Sequence, residues 1–479
     1  MQEKKYSYIS NYFNNFIDNR NSIYTLSINF IYNHRFRRFY NYFYKAFDST
    51  KEYSFGLDTR ELLKIFKVIL ISLFFNKKLN IKKNKKIDTL VIDHLFNLNS
   101  DIKNSKIYGD LFSELIKKKI SYKRLLINHS NKIQNKNLFI DNIIVNRTTN
   151  VKLIIIHIYN LISEYKYFKK IFNNEKKLIN KRLLGLLSKK IISSENLNNL
   201  IIADQVYKFI LLFKFNKILF TFEGNAWERI LIYKIKESKL KCKIIGYNHT
   251  GIYKYHNAIR KNFKYNLSPD EIFCISKYSY NEFIKLNLIE KNQIKIIGYL
   301  NNIYKSKKTK DLNYDKKDII FLPTAEEDEC LDLFNLLINF IKHNKGNNCI
   351  FRLHPMTDKK TKLYIEQKIK SIKEKVIISI NSDINKDLNK SFIAIYRDTS
   401  SIIYAAINRT LPVYFKNDEY LENDIISKDY KKNISINNYE ELNNLISNIK
   451  KNNIDKKNIE SIYNFCDEYY QLPNYDLFL

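Results

Sequence analysis

Short apolar runs that stop abruptly at polar residues recur along this chain, and stretches of helical spacing fill the intervals between them. From residue 86 onward, candidate strands at 89–92, 124–127, 138–140, 217–222 and 242–247 alternate with helical patterns such as 151–168 and 197–213. Residues 273–276 and 293–297, with a helical pattern through Leu288 between them, close this series. Strands alternating with helices predict βαβ units around a parallel sheet. A second series opens at Ile319 with IIFLP, continues through a helical stretch at 326–343, and reaches two apolar runs at 349–353 and 392–396 that read as buried parallel strands. Between the two series lies GYLNNIYKSKKTKDLNYDKKD, lysine-rich and unpatterned, the best linker in the chain. Helical patterns near 439–450 and 459–470 end it. The predicted division is a helical, aromatic and basic extension over 1–85, α/β domains over 86–300 and 301–457, and a last helix over 458–479 that crosses back to the first domain.

Length agrees with that division, because 479 residues exceed what one ordinary core serves, and 45% apolar residues suffice for two. The net charge of +33 invites a nucleic-acid reading, since clustered Lys and Arg release counterions from a phosphate backbone. Here, however, lysine is accompanied everywhere by Asn, Ile, Tyr and Phe, with only 8 Gly and 5 Pro, so the charge is spread and not focused. A spread positive surface suits an anionic membrane face or anionic substrates, and no nucleic-acid partner is expected. The extension, with YNHRFRRFYNYFYKAF, reads as helices packed on the first domain or as a membrane-surface or acceptor-docking element. Five separated cysteines without a CxxC pair predict reduced core thiols in a cytoplasmic protein. The opening QEKKYSYIS has no apolar signal core, and the run 65–75, interrupted by Lys67, is shorter than the roughly 20 residues a bilayer span needs. A peripheral place on the inner membrane face is the expectation.

Candidate chemistry gathers at strand ends, the edge of an open α/β sheet where ligands bind. In FTFEGNAWERI, Glu223-Gly224 ends a strand, and Glu228 opens the next helix as either a general base or a capping acid. In IIGYNHTGIYKYH, His249 is a second base, an acceptor-binding group or a plain hydrogen-bond donor. In LPTAEEDEC, Thr324 and Glu327 have capping-box spacing, which would place the bare N–H groups of a helix start at the edge, suited to a phosphate. Finally CIFRLHP delivers Arg352, His354 and Pro355, and SFIAIYRDTSSIIYAAINRTLPVYF delivers Asp398, Thr399, Ser400 and Ser401 at a helix start. His354 with Arg352 can donate to a nucleotide phosphate and neutralise charge as it leaves, while Pro355 holds the backbone and the two serines add donors.

These motifs resemble those of GT-B glycosyltransferases, especially the group using cytidine-activated donors: bacterial polysialyltransferases and related sialyltransferases, capsule Kdo transferases and CDP-glycerol glycerophosphotransferases. Glu223-Gly224 matches the end of that group's acidic-acidic-Gly motif, His354-Pro355 its His-Pro and Ser400-Ser401 its Ser-Ser pair, over residues 218–415. Two departures stand out. Phe222 occupies the place of the first acid, and Ala405 and Thr410 replace the Glu and Gly of the TSSxxxEAxxxGxPV pattern, which argues against a retaining UDP-sugar enzyme.

The resemblance implies two facing Rossmann-like domains, with the donor on the second and the acceptor on the first. It implies a transferase moving a sugar or polyol phosphate from a nucleotide donor, cytidine-linked, to a growing surface polysaccharide or lipid-linked glycan. Glu223 would deprotonate the acceptor, with Glu228 or His249 as substitutes. Arg352, His354, Pro355, Thr324, Asp398, Thr399, Ser400 and Ser401 would form the donor site. No Asp-x-Asp stands where a metal-bound donor needs one, so no metal and no cofactor beyond the nucleotide-sugar co-substrate is expected. The alternatives are a UDP-sugar epimerase of the same fold and an inactive nucleotide-binding scaffold.

Overall fold

Both alternating series build sheets, and every strand pair within them is parallel. The computed structural model describes residues 2–20, 22–32, 42–48, 50–51, 53–75, 87–96, 105–129, 142–146, 148–252, 258–259, 267–301, 316–344, 346–370, 376–380, 383–417, 421, 424–426 and 434–478. The first sheet holds β1 (Thr89–Leu95), β2 (Tyr122–Asn128), β3 (Asn142–Val145), β4 (Lys217–Thr221), β5 (Lys243–Asn248), β6 (Glu271–Cys274) and β7 (Ile294–Ile296), in the order β3-β2-β1-β4-β5-β6-β7. The second holds β8 (Asp318–Leu322), β9 (Cys349–Arg352), β10 (Val376–Ser379), β11 (Ser391–Tyr396), β12 (Leu411–Phe415) and β13 (Ser435–Ile436), in the order β10-β9-β8-β11-β12-β13. The central strands read as continuous apolar runs because helices cover both faces of each sheet; all five residues of β8, for example, are buried.

Each sheet is doubly wound, with its strand order reversing once, between β1 and β4 and between β8 and β11. At such a reversal the crossover helices leave on opposite faces and open a crevice at the carboxyl ends of the strands. Two Rossmann-like domains of this kind are the GT-B architecture that the sequence implies. The domains meet where the loop after β5 lays the Gly251 backbone against Ile425 and Tyr469, and where the Tyr278 hydroxyl donates to Glu468 at 3.0 Å.

Some elements differ from expectation. The candidate strand 138–140 and residues 302–315 of the linker lie outside the described residues; β3 forms just beyond, at Asn142–Val145. Edge strands β10 and β13 and the helix Leu178–Ile191 have no predicted counterpart. That helix pairs with Val151–Asn174, Ser194–Phe213 and the N-terminal helices Gln2–Asn19 and Thr59–Phe75 around an apolar core that includes Ile9, Phe13, Leu161, Phe168, Leu183, Leu187 and Leu200. The N-terminal segment is thus half of a helical layer. A buried carboxylate, Glu164, pins it there by accepting from the Arg20 guanidinium at 2.8 and 3.0 Å, from Ser22 at 2.7 Å and from Thr25 at 3.0 Å.

The last helix, Lys456–Tyr469, stays with the second domain, tied to the Arg409 guanidinium by Asp467 at 3.0 and 2.7 Å. Its far side also touches the first domain, where Glu468 accepts from Tyr278 and Phe465 meets the Tyr278 ring at 4.8 Å, and the irregular tail beyond it carries the contact further. Gln471 N donates to the Ile275 carbonyl at 3.3 Å, Tyr299 N to the Gln471 carbonyl at 2.8 Å, and Asn474 N to the Ile297 carbonyl at 2.7 Å. Gly298 makes this docking possible: its φ is +87°, and a Cβ there would lie 2.3 Å from the Leu472 carbonyl oxygen. Gly298→Ala is therefore expected to destabilise the protein by about 1–3 kcal/mol, through the strained backbone and the displaced tail. Urea denaturation checks this, with limited proteolysis expected to remove the tail faster; a wild-type midpoint and cleavage pattern would contradict it.

Candidate active site

The crevice of the first sheet opens between β1 and β4, and two imidazoles and a hydroxyl lie across it. His94, near the end of β1, shares a hydrogen bond of 2.7 Å between its Nδ1 and Nε2 of His129, which follows β2. Its Nε2 shares another of 2.8 Å with Oγ1 of Thr221, the last residue of β4. Phe96 stacks on His129 at 4.9 Å between centroids, and Trp227 meets His94 edge-on at 6.1 Å. Burial, then the nearby His249, push the His94 imidazole down to about 4, against the pull of Glu223. At neutral pH His94 is therefore uncharged and carries one N–H, which can serve only one of its two neighbours at a time.

Next to it, the turn Glu223-Gly224-Asn225 leaves β4 and enters the helix Ala226–Glu237. The turn closes on the fully buried Glu228. One oxygen of that side chain accepts from the backbone N–H of Glu223 at 3.0 Å, Gly224 at 2.8 Å and Asn225 at 2.9 Å; the other accepts from the Asn225 amide at 3.0 Å. Glu228 is thus the clamp of the turn, and the expectation that it could substitute as base is corrected: its carboxyl is sealed from solvent and occupied by the loop's own donors. Gly224 is required because φ is +79° and a Cβ would sit 2.3 Å from the Ala258 carbonyl oxygen. Asn248 donates to the Phe222 carbonyl at 3.0 Å, tying this turn to β5, and Asn29 of the helical layer accepts from Ala226 N at 3.1 Å.

So held, Glu223 faces His249, which follows β5, with Oε1 and Nε2 3.9 Å apart. Both side chains are partly exposed, at 16% and 24%. A carboxylate and an imidazole at neighbouring strand ends form an acid–base pair able to accept, hold and return a proton at a sheet edge.

In the second domain the predicted residues separate into two groups. His354, in the turn after β9, accepts the Met356 N–H on Nδ1 at 3.1 Å, so the neutral ring carries its proton on Nε2 and presents it as a donor. Burial lowers its pKa, which favours that neutral form. Pro355 follows, exposed in the same turn. At the β8/β11 reversal, Asp398 adopts φ +45°, Thr399 accepts the Ser401 N–H at 3.3 Å, and the half-buried Ser400 stands just before the helix Ser401–Ile407 with no side-chain bond to its first turn. These residues lie together at the edge of the second sheet.

Two others have protein partners of their own. Arg352 Nη1 pairs with Asp387 at 2.5 Å and donates to the Ser379 hydroxyl at 3.0 Å, beside β10. Thr324 does not form the predicted capping box with Glu327. It accepts from Glu326 N at 3.3 Å and donates to the buried Glu329 at 2.8 Å, and the cap of the helix Glu327–His343 is Glu326.

His94, His129 and Thr221 were missed in the sequence, although the same strand-end logic applies to them: His94 lies two residues beyond the run 89–92, and His129 two beyond 124–127. Among the described residues, no cluster of three or more His, Cys, Asp or Glu is arranged to hold a metal.

The clamp makes a pH-dependent prediction. Burial first, and the charge of Glu223 second, push the Glu228 carboxyl up to about 8, with the Asn225 side chain and the backbone donors opposing. Because the unfolded value lies near 4.3, the folded protein binds the extra proton between those values. The stability this contributes is full below the unfolded pKa and is lost as pH rises through about 8. Melting temperature of wild type relative to Glu228→Gln is expected to fall from pH 5 to pH 8.5, tracked by circular dichroism; a difference independent of pH would contradict it.

No family model matches the sequence, and no curated protein matches it. Solved structures do resemble its shape. The UDP-GlcNAc 2-epimerase of Methanocaldococcus jannaschii, in complex with UDP-GlcNAc and UDP, aligns with a TM-score of 0.46 at 14% identity, over 77% of this chain and 94% of that one. The UDP-N-acetylglucosamine 2-epimerase of Rickettsia bellii gives 0.47 at 13% identity, over 80% and 93%. A lipopolysaccharide outer core galactosyltransferase gives 0.43 at 8% identity, over 81% and 97%. At TM-scores below 0.5, the chemistry rests on this chain's own residues.

Proposed function

We propose that this chain is a metal-independent transferase that moves a sugar or a polyol phosphate from a nucleotide-activated donor to a hydroxyl of a growing surface glycan or glycolipid. The observation that carries this reading is the Glu223–His249 pair at one sheet edge, combined with a donor-only His354 Nε2 at the edge of the other sheet. In this reading Glu223 takes the proton as the acceptor oxygen bonds to the donor. The bond from the transferred group to the nucleotide phosphate breaks, and its electron pair leaves on that phosphate, where His354 Nε2–H and the Ser400 hydroxyl meet the growing charge. His249 steadies the Glu223 charge before transfer and relays its proton afterwards. A cytidine-linked donor and an anionic membrane as the place of work belong to the same proposal.

The acid–base pair would equally suit a UDP-sugar epimerase, which withdraws a proton from a sugar carbon and needs no acceptor. A donor panel separates the readings. Release of CMP or CDP only when an acceptor is present supports the transferase; turnover of UDP-sugar without acceptor supports the epimerase; and nucleotide binding without turnover of any donor supports an inactive scaffold.

Two variants test the assignment of roles. Glu223→Gln keeps the shape without the basicity, so nucleotide binding is expected to survive while turnover falls by roughly 100- to 10,000-fold. His354→Ala is expected to weaken nucleotide binding and to raise the barrier by about 2.7–4 kcal/mol, a loss on the order of 100-fold or more. Nucleotide titration and turnover on the same preparations provide both readouts, and unchanged affinity and rate in His354→Ala would overturn the proposal.

A further inference from the structure

One helix of the N-terminal layer is apolar on both sides. Thr59–Phe75 turns Ile65 inward, with Val68 and Ile69 packed on the layer's core. Its acid, Glu61, is also turned in, accepting from the Ser194 N–H at 3.0 Å and hydroxyl at 2.9 Å. The outward side carries Leu63, Phe66, Leu70, Leu73 and Phe74 at helical spacing, exposed by 71, 57, 40, 59 and 79%. Soluble surfaces scatter single apolar side chains but rarely align five large ones on one helix. Ile155, Ile156 and Tyr159 are exposed on Val151–Asn174, which packs against the same helix.

The charges beside this stripe select its occupant. Arg60 and Lys67 are exposed along the helix, Lys64 pairs with Glu61 at 2.7 Å, and the sequence continues from Phe75 as NKKLNIKKNKK, with no acid. A second copy of the chain would bring the same cations against these, whereas a bilayer of anionic lipid offers both an apolar interior and a negative surface. Among the described residues no helix is long and apolar enough to cross a membrane, so the fitting geometry is parallel to the surface.

We infer that Thr59–Phe75 lies in the interface of an anionic bilayer, burying Leu63, Phe66, Leu70, Leu73 and Phe74 below the headgroups while Arg60 and Lys67 reach the phosphates. This surface develops the membrane part of the reading above and is independent of the transfer chemistry.

Sedimentation of the full chain with phosphatidylcholine vesicles containing about 30% phosphatidylglycerol tests it. Wild type is expected to bind at low salt and to release as salt rises. The combined variant Leu63→Ser, Phe66→Ser, Leu73→Ser, Phe74→Ser is expected to lose at least about tenfold in partitioning. Arg60→Glu with Lys67→Glu, a second and structurally milder variant, is expected to weaken binding and flatten its salt dependence. Nucleotide titration on both should match wild type, which keeps failure here distinct from failure of the transferase reading. Wild type that ignores anionic vesicles at low salt, or a serine variant that binds as well as wild type, overturns the inference. So does a lipid-free dimer that the serine variant converts to monomer, since the stripe would then be a self-association face.

Discussion

The grip of Glu228 on the turn at 223–225 is the interaction on which the first domain's edge depends. A turn that leaves a strand and starts a helix exposes several backbone N–H groups in quick succession, and each one buried without a partner costs roughly 1–3 kcal/mol. Here three of them converge on one carboxyl oxygen. The arrangement is shared with the rest of the fold: Asn29 of the helical layer takes the next N–H, Asn248 of β5 takes the Phe222 carbonyl, and Arg229 donates to the Gly224 carbonyl. Helical layer, sheet and turn therefore set the position of Glu223 jointly, and a shift in any of them is felt there.

The same crowding sorts the ionisable groups. His94 is driven towards its neutral form and Glu228 towards its protonated form, both by burial first. Within a few side chains of each other, one imidazole and one carboxyl thus give up charge near neutral pH, while the partly exposed Glu223 and His249 remain as the pair in contact with solvent. Environments that push neighbouring titratable groups apart are how a site distinguishes its reactive acid or base from its scaffold. The surplus positive charge of the chain is elsewhere, on its surface lysines, and the exposed helix of the N-terminal layer shows how such charge can flank an apolar face.

What could be read from the sequence follows from how local each signal is. The strands of both sheets announce themselves as apolar runs because parallel strands are buried on both faces, and the residues just past them, Glu223, His249, His354 and Ser400, were found by that rule alone. His94 and His129 escaped because β1 and β2 continue past the apolar runs, through Asp93 and Asn128, which are buried yet polar. Asp93 can be there because Arg124 of the adjacent strand pairs with it at 2.5 Å, a partner that only the fold brings near. The Arg352–Asp387 pair is illegible for the same reason, since Asp387 is distant in sequence and adjacent in space. Glu228 looks like any acid in a first helical turn until three donors are seen to converge on it.

The relation between the two edges is settled far from either. The chain crosses between domains after Gly298 and returns at Tyr470, and the two crossings are bonded to each other through Tyr299 N and the Gln471 carbonyl and through Asn474 N and the Ile297 carbonyl. Tyr299 also packs its ring 4.3 Å from that of Tyr470 and shares a hydrogen bond with the Tyr404 hydroxyl on the second domain. Two segments of chain thus run bonded side by side where they pass between the domains. This paired crossing, the Gly251 contact to Ile425 and Tyr469 and the Tyr278–Glu468 bond together join the domain that carries Glu223 to the one that carries His354.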